Sequence, residues 1–413
     1  MRNRTRHQRA AAAIVGLAIG TIVAGGIGHA QAQETVRLGA LYPFSGGLAL
    51  LGDESYRGFE VAVEERNADG GIQGGKQIQI LRGDAVDNNQ AVGEARRLIS
   101  VEGVSAIFGT YSSARSNAAS QVAELAGIPY FELGGISDPI TERGFEYLYR
   151  TNPTARSFAV ATVDAISDAI APSLGLDPAD VKVAIIHEDS LYGTTVAGFQ
   201  EERAAEQGLN IVETLPYPAD SVDMSSLILR LIGAEVDVVL QTSYQNDTVL
   251  FFRQAHEAGF APAAMIGAGG GYSLEQTVEA VGADIMEGAL NVDFTQYLTN
   301  PDAAPGIEDF VAAYEERYGH HPRSGHSLAN YMGTKVILDA LDGAASMSPD
   351  DIRAAMAEVD VEIGTTATGW GVKFDETGQN TRAVPFLMQW QGGKLVTVFP
   401  PEAAVAELIV GSD

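Results

Sequence analysis

The sequence predicts an α/β fold of two lobes, each built on a parallel central sheet. Three observations carry that expectation. Strand-like apolar runs alternate with amphipathic helical runs from about residue 35 onward, the alternation pauses near residue 150 and restarts, and the connecting segments are short. Strand-then-helix units joined by short loops imply parallel strands covered by helices on both faces. A chain of 413 residues is long enough for two such lobes. Only the architecture repeats; no residue-level repeat is present.

The elements follow in order. "VRLGALYPF" reads as a strand, "ESYRGFEVAVEERNADGG" as a helix stopped by Asn and paired glycines, "QIQILRGD" as a strand and "NNQAVGEARRLISVEG" as a helix. Ala106–Phe108 is a short strand ending at Gly109; after the polar turn "TYSS" comes a helix with Ala118, Val122 and Leu125 on one face, ended by Gly127, and a strand starting at Ile128. Past "TNPTARSF" the pattern restarts with "VKVAIIHED", a helix from about Tyr192 to Gln207, the strand "NIVETLPY" and a helix near Ser225–Ile232. "VDVVLQT" precedes a helix near Asn246–Glu257, and "AAMIGAGGG" precedes one over Ser273–Ala280. The rest reads as a Pro-rich connection, helices and short strands around Gly turns. It is too small for a domain, so it completes the two lobes and the chain crosses between them more than twice.

The first residues have the form of a secretory signal peptide. Arg2, Arg4, Arg6 and Arg9 precede an apolar run from Ala10 to Gly28, and Ala30-Gln31-Ala32 fits a small-x-small cleavage site. The expected product is an exported protein, soluble in a bacterial periplasm. The chain has no cysteine, which excludes disulfides and a lipidated cysteine, so stability must come from a large core. The formal charge of −28 becomes −32 once the four arginines are removed, which excludes a nucleic-acid partner and disfavours anionic lipid. An anionic ligand would then need a local site of backbone amides and hydroxyls.

The turn "GTYSS" offers such a site. A strand that passes through a glycine and two serines into a helix leaves free N–H groups and hydroxyls at one point, which suits a carboxylate. The alternative is that one of Ser112 and Ser113 is only an N-cap. Ligands of open parallel sheets sit beyond the carboxyl ends of the strands, so loops from both lobes should converge: "FSGGLALLGD", "GTYSS" and "ELGGIS" from the first, "HEDSLYG", "QTSYQND" and "GAGGGYS" from the second. Tyr192 and Tyr244 each follow a strand, where a ring can stack on a ligand, or else they are ordinary rim residues.

Enzyme motifs are absent. "GAGGG" fails the dinucleotide fingerprint because Tyr272 stands where the last glycine belongs, and neither a P-loop nor a G-x-S-x-G elbow occurs. His187-Glu188-Asp189 lacks a second zinc-binding His, and His320-His321 has no clustered third ligand. No catalytic residues, metal or cofactor are expected.

The order of "LYPFSGGLALLGDESYRGFEVAVEERNADGGIQGGKQIQILRGDAVDNNQAVGEARRLI", "IFGTYSS", "DPITERGFEYLYRTNPT", "VAIIHEDSLYG" and "GVKFDETG…QW" resembles the leucine/isoleucine/valine-binding protein family across essentially the whole mature chain. These are type I periplasmic solute-binding proteins of ABC transporters. The resemblance implies two Rossmann-like lobes joined by three hinge crossings, here near Thr151–Pro153, Asn291–Phe294 and Ala383–Phe386. The N-terminal lobe would comprise 33–152 and 293–385, the C-terminal lobe 153–292 and 386–413. It implies a monomer that closes on a small polar solute, an amino acid or a small carboxylate or amide, and hands it to a membrane permease. A sensory module signalling through a partner receptor is the alternative.

Residue by residue, the resemblance implies that Ser113 holds a ligand carboxylate by hydroxyl and backbone N–H, that Gly134 offers a carbonyl, and that Leu51 forms an apolar wall. Tyr192 and Tyr244 match two tyrosines of the second lobe. Ile136 replaces a threonine, and Gly269 stands near the position where amino-acid binders place a carboxylate against the ligand's ammonium. Either Glu132, Glu188 or Asp189 substitutes for that acid, or the ligand has no α-amino group; a small carboxylate or amide is expected at least as readily as leucine.

Overall fold

Buried apolar runs form the strands. Leu38–Tyr42 and Val183–Glu188 are buried without interruption, as strands covered on both faces must be. A computed structural model describes residues 34–410, so the signal-peptide reading, with its cleavage near Ala32, lies outside the described residues. The first sheet is parallel throughout, its five strands, counted in chain order, lying in the order 2-1-3-4-5. The chain makes it in the order β1 (Thr35–Tyr42), α1 (Ala49–Ala68), β2 (Gln77–Asp84), α2 (Asn88–Ser100), β3 (Ala106–Gly109), α3 (Ser113–Leu125), β4 (Tyr130–Glu132) and β5 (Leu148–Arg150).

The second run begins with α4 (Ala155–Ala165), a π-helical turn (Ile166–Ile170) and α5 (Ala171–Leu174). It continues through β6 (Lys182–Glu188), α6 (Leu191–Gln207), β7 (Asn210–Tyr217), α7 (Ser225–Gly233), β8 (Val238–Thr242), α8 (Gln245–Glu257) and β9 (Ala264–Ala268). Three short helices follow, α9 (Gly270–Ser273), α10 (Glu275–Val281) and α11 (Ala283–Met286), before β10 (Leu290–Asp293). The helix expected over Ser273–Ala280 is thus two pieces, because the extended residue Leu274 interrupts it. Strands β7-β6-β8-β9-β10 repeat the order of the first sheet, all parallel.

The remaining residues add helices beside the first sheet and strands to the second. Helices α12 (Ile307–Tyr318), α13 (Gly325–Gly343) and α14 (Pro349–Ala357) return to the first sheet, where α13 lies along α1. Strands β11 (Phe386–Gln391) and β12 (Lys394–Phe399) extend the second sheet as an antiparallel pair beside β10. The chain therefore passes between the sheets three times: after β5, after β10 and before β11. Among the described residues no helix is long and apolar enough to cross a membrane.

Two details differ from the sequence reading. The buried face of α3 is Ser116, Ala119, Ser120 and Ala123, while Leu125 is 83% exposed. Small residues there let α3 lie close to α2, so the larger side chains of the helix are turned outward. The α4–α5 run begins inside "TNPTARSF", where no strand signal separates it from the connection; Thr154 and Ser157 cap α4 reciprocally.

The first crossing is held by buried polar groups. The Arg150 guanidinium donates to the Gln379 Oε1 at 2.5 Å and to the Ser137 carbonyl at 2.7 Å. Gln379 in turn donates to the Asn152 carbonyl at 3.0 Å, and Asn380 to the Thr151 carbonyl at 2.8 Å. Burial pushes the Arg150 guanidinium down to about 10, with Asp138 and Glu132 opposing. Each amide here satisfies backbone that leaves one sheet before it reaches the other.

Candidate functional site

Both sheets reverse strand order between their first and third strands, so a crevice opens beyond β1/β3 in one and β6/β8 in the other. The loops at these two points face each other across a narrow cavity of about 20 Å³. Ser113, Gly134 and Ile136 line it from the first lobe, and Tyr192, Tyr244 and Gly269 from the second. Leu51 and Ser112 stand behind the lining. Leu51 packs in the same apolar cluster as Tyr111, Ile136, Tyr192 and Tyr244, and Ser112 is the N-cap residue of α3.

The cap geometry answers the question about the serines. Ser112 makes no side-chain capping bond; its carbonyl accepts from the Ser116 N–H at 2.9 Å. Ser113 Oγ accepts from the Ser137 N–H at 3.2 Å, which ties the two first-lobe loops together and leaves the hydroxyl proton to be donated. Ser113, the first residue of a 13-residue helix, brings this hydroxyl and the helix N-terminus to the cavity wall, a setting for negative charge.

Glu132, at the end of β4, holds this arrangement from behind. It is fully buried and accepts from the N–H groups of Thr110 (3.1 Å), Gly134 (2.8 Å) and Gly135 (2.5 Å) and from the Ser116 hydroxyl. Burial pushes its carboxyl up to about 7 against the pull of those donors. Glu188 is spent in the same way, on Ser190 and on the Gly193 N–H at 2.7 Å. Asp189 is exposed. None of the three acids expected to replace the missing carboxylate lines the cavity, and that expectation is corrected.

Asp293 does line it, together with Tyr111, Phe158, Gly270, Phe294 and His326. Sequence reasoning placed Asp293 and Phe294 at a hinge and gave the other four no role. Tyr111 was within reach, since it adjoins Ser112 in a post-strand loop; its φ of +84° turns the ring into the cleft. His326 had no signal, because the return of α13 to the first sheet cannot be read from spacing. Tyr111 and Phe294 pack on its ring at centroid distances of 5.1 and 5.0 Å, and Trp370 stands edge-on behind Phe294 at 5.9 Å.

Gly269 is a glycine for steric reasons. Its φ is +115°, and a Cβ there would lie 2.6 Å from the Tyr192 hydroxyl, which donates to the Ala268 carbonyl. Asn291 on β10 holds the same residue by both ends, accepting from the Gly269 N–H and donating to its carbonyl, each at 3.1 Å. No side chain, acidic or otherwise, fits at this position without displacing Tyr192.

Behind Tyr244, the buried Asp247 accepts from the Tyr217 hydroxyl at 2.8 Å. Burial pushes its carboxyl up to about 8. The native state therefore keeps a proton that the unfolded chain loses near pH 4, and stability falls as pH rises from about 4 to about 8. Asp247→Asn keeps the acceptor and removes the titration. Relative to wild type it is expected to gain at least about 2 kcal/mol between pH 5 and pH 8, measured by urea unfolding at both values; equal differences at the two pH values contradict the assignment.

The profile of the periplasmic binding protein family matches residues 35–394. The chain belongs to this family. Its members are solute-binding proteins of the periplasm, not enzymes, and the resemblance read from the motif order holds. This periplasmic binding protein is 56% identical over 395 residues to Leu/Ile/Val-binding protein homolog 7 of Brucella suis, covering 96% of this chain and 98% of that one. It is 55% identical over 395 residues to homolog 8 of Brucella abortus, with the same coverage.

Among solved structures, LivJ from Streptococcus pneumoniae, the substrate-binding protein of a branched-chain amino acid transporter, in complex with isoleucine, superposes with a TM-score of 0.76. It is 22% identical and covers 92% of this chain and all of that one. A solute-binding protein of an ABC transporter from Rhodopseudomonas palustris, in complex with 3,4-dihydroxybenzoic acid, gives 0.73 at 21% identity, covering 87% of this chain and 95% of that one. At these identities the likeness establishes the type I fold of two parallel-sheet lobes.

Proposed function

We propose that this periplasmic binding protein captures a small polar solute, an amino acid or a small carboxylate or amide, and delivers it to the membrane permease of an ABC transporter. One observation carries the reading: the N-terminus of α3 with Ser113 on one side, and Tyr192 and Tyr244 on the other, line the same cleft cavity. The carboxylate is assigned to Ser113 and the first-turn amides of α3, with Gly134 and the Ile136 backbone beside it, Ser112 and Leu51 behind and Gly269 opposite. Both ligands in the two fold neighbours, isoleucine and 3,4-dihydroxybenzoic acid, carry a carboxylate, which supports this end of the assignment.

In this reading the lobes, 33–152 with 293–385 and 153–292 with 386–413, close on the ligand by rotation about the three crossings. The protein acts as a monomer after export, and most affinity comes from burial in the closed cleft. The test is thermal unfolding of refolded, ligand-stripped protein against amino acids, aromatic carboxylates and short amides. A ligand at about 1,000 times its dissociation constant adds about 4 kcal/mol, a readable shift in midpoint. Ser113→Ala is expected to weaken the best ligand by about tenfold or more, as loss of a hydrogen bond to a charged group does. An unchanged affinity would remove Ser113 from the site.

A further inference from the structure

The second-sheet side of the cavity contains a buried acid without a matching base. Asp293 ends β10 at the second crossing and is 1% exposed. Its Oδ2 accepts from the Ser273 hydroxyl and its Oδ1 from the Phe294 N–H at 2.8 Å. Among the described residues no Lys or Arg lies within ion-pair reach of it; the one group that can carry a positive charge there is His326, with Nε2 3.8 Å from Oδ1. That separation is too long for a hydrogen bond. The other His326 nitrogen, Nδ1, is 3.2 Å from the Ser324 hydroxyl.

Burial pushes the Asp293 carboxyl up and the His326 imidazole down, each away from its charged form, while the two groups pull one another the other way. A carboxylate buried this deeply is costly to ionise unless positive charge arrives beside it. The cavity lining contains no Lys or Arg to supply that charge. Its other walls near Asp293 are aromatic: Tyr111, Phe158, Tyr192 and Phe294. Ring faces attract a cation and give nothing comparable to an anion.

The opposite side of the same cavity has the reverse character. Ser113 and the free amides of α3 are donors with no acidic side chain of their own. The cavity is therefore polarised, with donors at the start of α3 and an unbalanced acid at the end of β10.

We propose that Asp293 is the counter-charge for a cationic nitrogen on the ligand, so that the cavity selects zwitterionic solutes over amine-free carboxylates of the same shape. This rests on the cleft being the ligand site, as proposed above. The ligand then spans the cavity, its carboxylate on α3 and its ammonium between Asp293 and the surrounding rings. His326 stays neutral and fixes one edge of the acid. Asp293 thereby takes the discriminating role that Gly269 has no room to fill.

The experiment compares matched pairs on refolded, ligand-stripped mature protein: L-leucine with 4-methylpentanoate, and L-phenylalanine with 3-phenylpropanoate. Dissociation constants are measured by calorimetry for wild type, Asp293→Asn and Ser113→Ala. The expected result is that an amine-bearing member binds wild type at least 30-fold more tightly than its partner, and that Asp293→Asn narrows the ratio to within a few-fold. Asn keeps the shape and an acceptor for Ser273 while removing the charge. If Asp293→Asn does not fold, the wild-type ratio decides alone. An amine-free member binding as tightly as its partner overturns the proposal, and if Ser113→Ala still weakens it, the cleft remains the ligand site. A preference for the amine that neither variant alters overturns both assignments.

Discussion

Gly58→Ala is expected to destabilise the protein by about 3 kcal/mol or more, the largest loss from a single methyl group among the sites considered. Gly58 is a buried residue of α1 where that helix meets α13. A Cβ there would lie 1.8 Å from the Ser327 carbonyl oxygen, 2.6 Å from its carbonyl carbon and 2.9 Å from its Cα. These are backbone atoms, so no rotamer change relieves the clash and the two helices must separate. Separation opens a polar joint as well, because Ser327 donates to the buried Glu54 at 2.5 Å and Tyr314 donates to the same carboxylate at 2.7 Å. Gly198→Ala provides the contrast: Gly198 is exposed in α6 with nothing within 4 Å of the added Cβ. That substitution should be neutral or stabilising by roughly 0.5–1 kcal/mol through helix propensity. Urea unfolding of both variants checks the pair, and a Gly58→Ala loss below about 1 kcal/mol would mean that the α1–α13 contact has slack.

Gly269→Ala is expected to lower ligand affinity by a hundredfold or more while leaving most of the fold intact. The new methyl group meets the Tyr192 hydroxyl at 2.6 Å, and the φ of +115° is one that alanine rarely adopts. Tyr192 can move only by abandoning the Ala268 carbonyl and entering the cavity, while the peptide of Gly269 can move only by breaking its two bonds to Asn291. Either movement reshapes the wall that faces Ser113. The check is calorimetric titration of the ligand found in the thermal panel, with far-UV circular dichroism to confirm folding. An affinity within tenfold of wild type would show that this wall tolerates displacement.

Much of this was legible because parallel sheets leave a strong trace. The strand Asn210–Tyr217 begins and ends where its apolar run does, and Ser113, Tyr192 and Tyr244 could be named because each follows a strand immediately. Less was legible where the determinant is a backbone approach rather than a pattern. The inner face of α3 is made of serines and alanines, whose burial reflects how near α2 comes and not their own hydrophobicity. Asp293 enters the sequence reading only as part of a hinge implied by the resemblance; only the position of α13, which returns over a long stretch of chain, brings His326 beside it. Glu132 shows the opposite error: a carboxylate near the site looks like a ligand group until its four donors are counted.

The chain has two tryptophans, and they stand in unlike places. Trp390, on β11, donates its indole N–H to the Tyr272 carbonyl at 2.8 Å within the second-sheet core. Trp370 is also buried, but it backs the aromatic relay of Phe294 and His326 that forms one cavity wall. A ligand that presses on Phe294 changes the packing around one indole and leaves the other as an internal reference. If the cleft is the ligand site as proposed, intrinsic emission is expected to follow its filling without any attached dye.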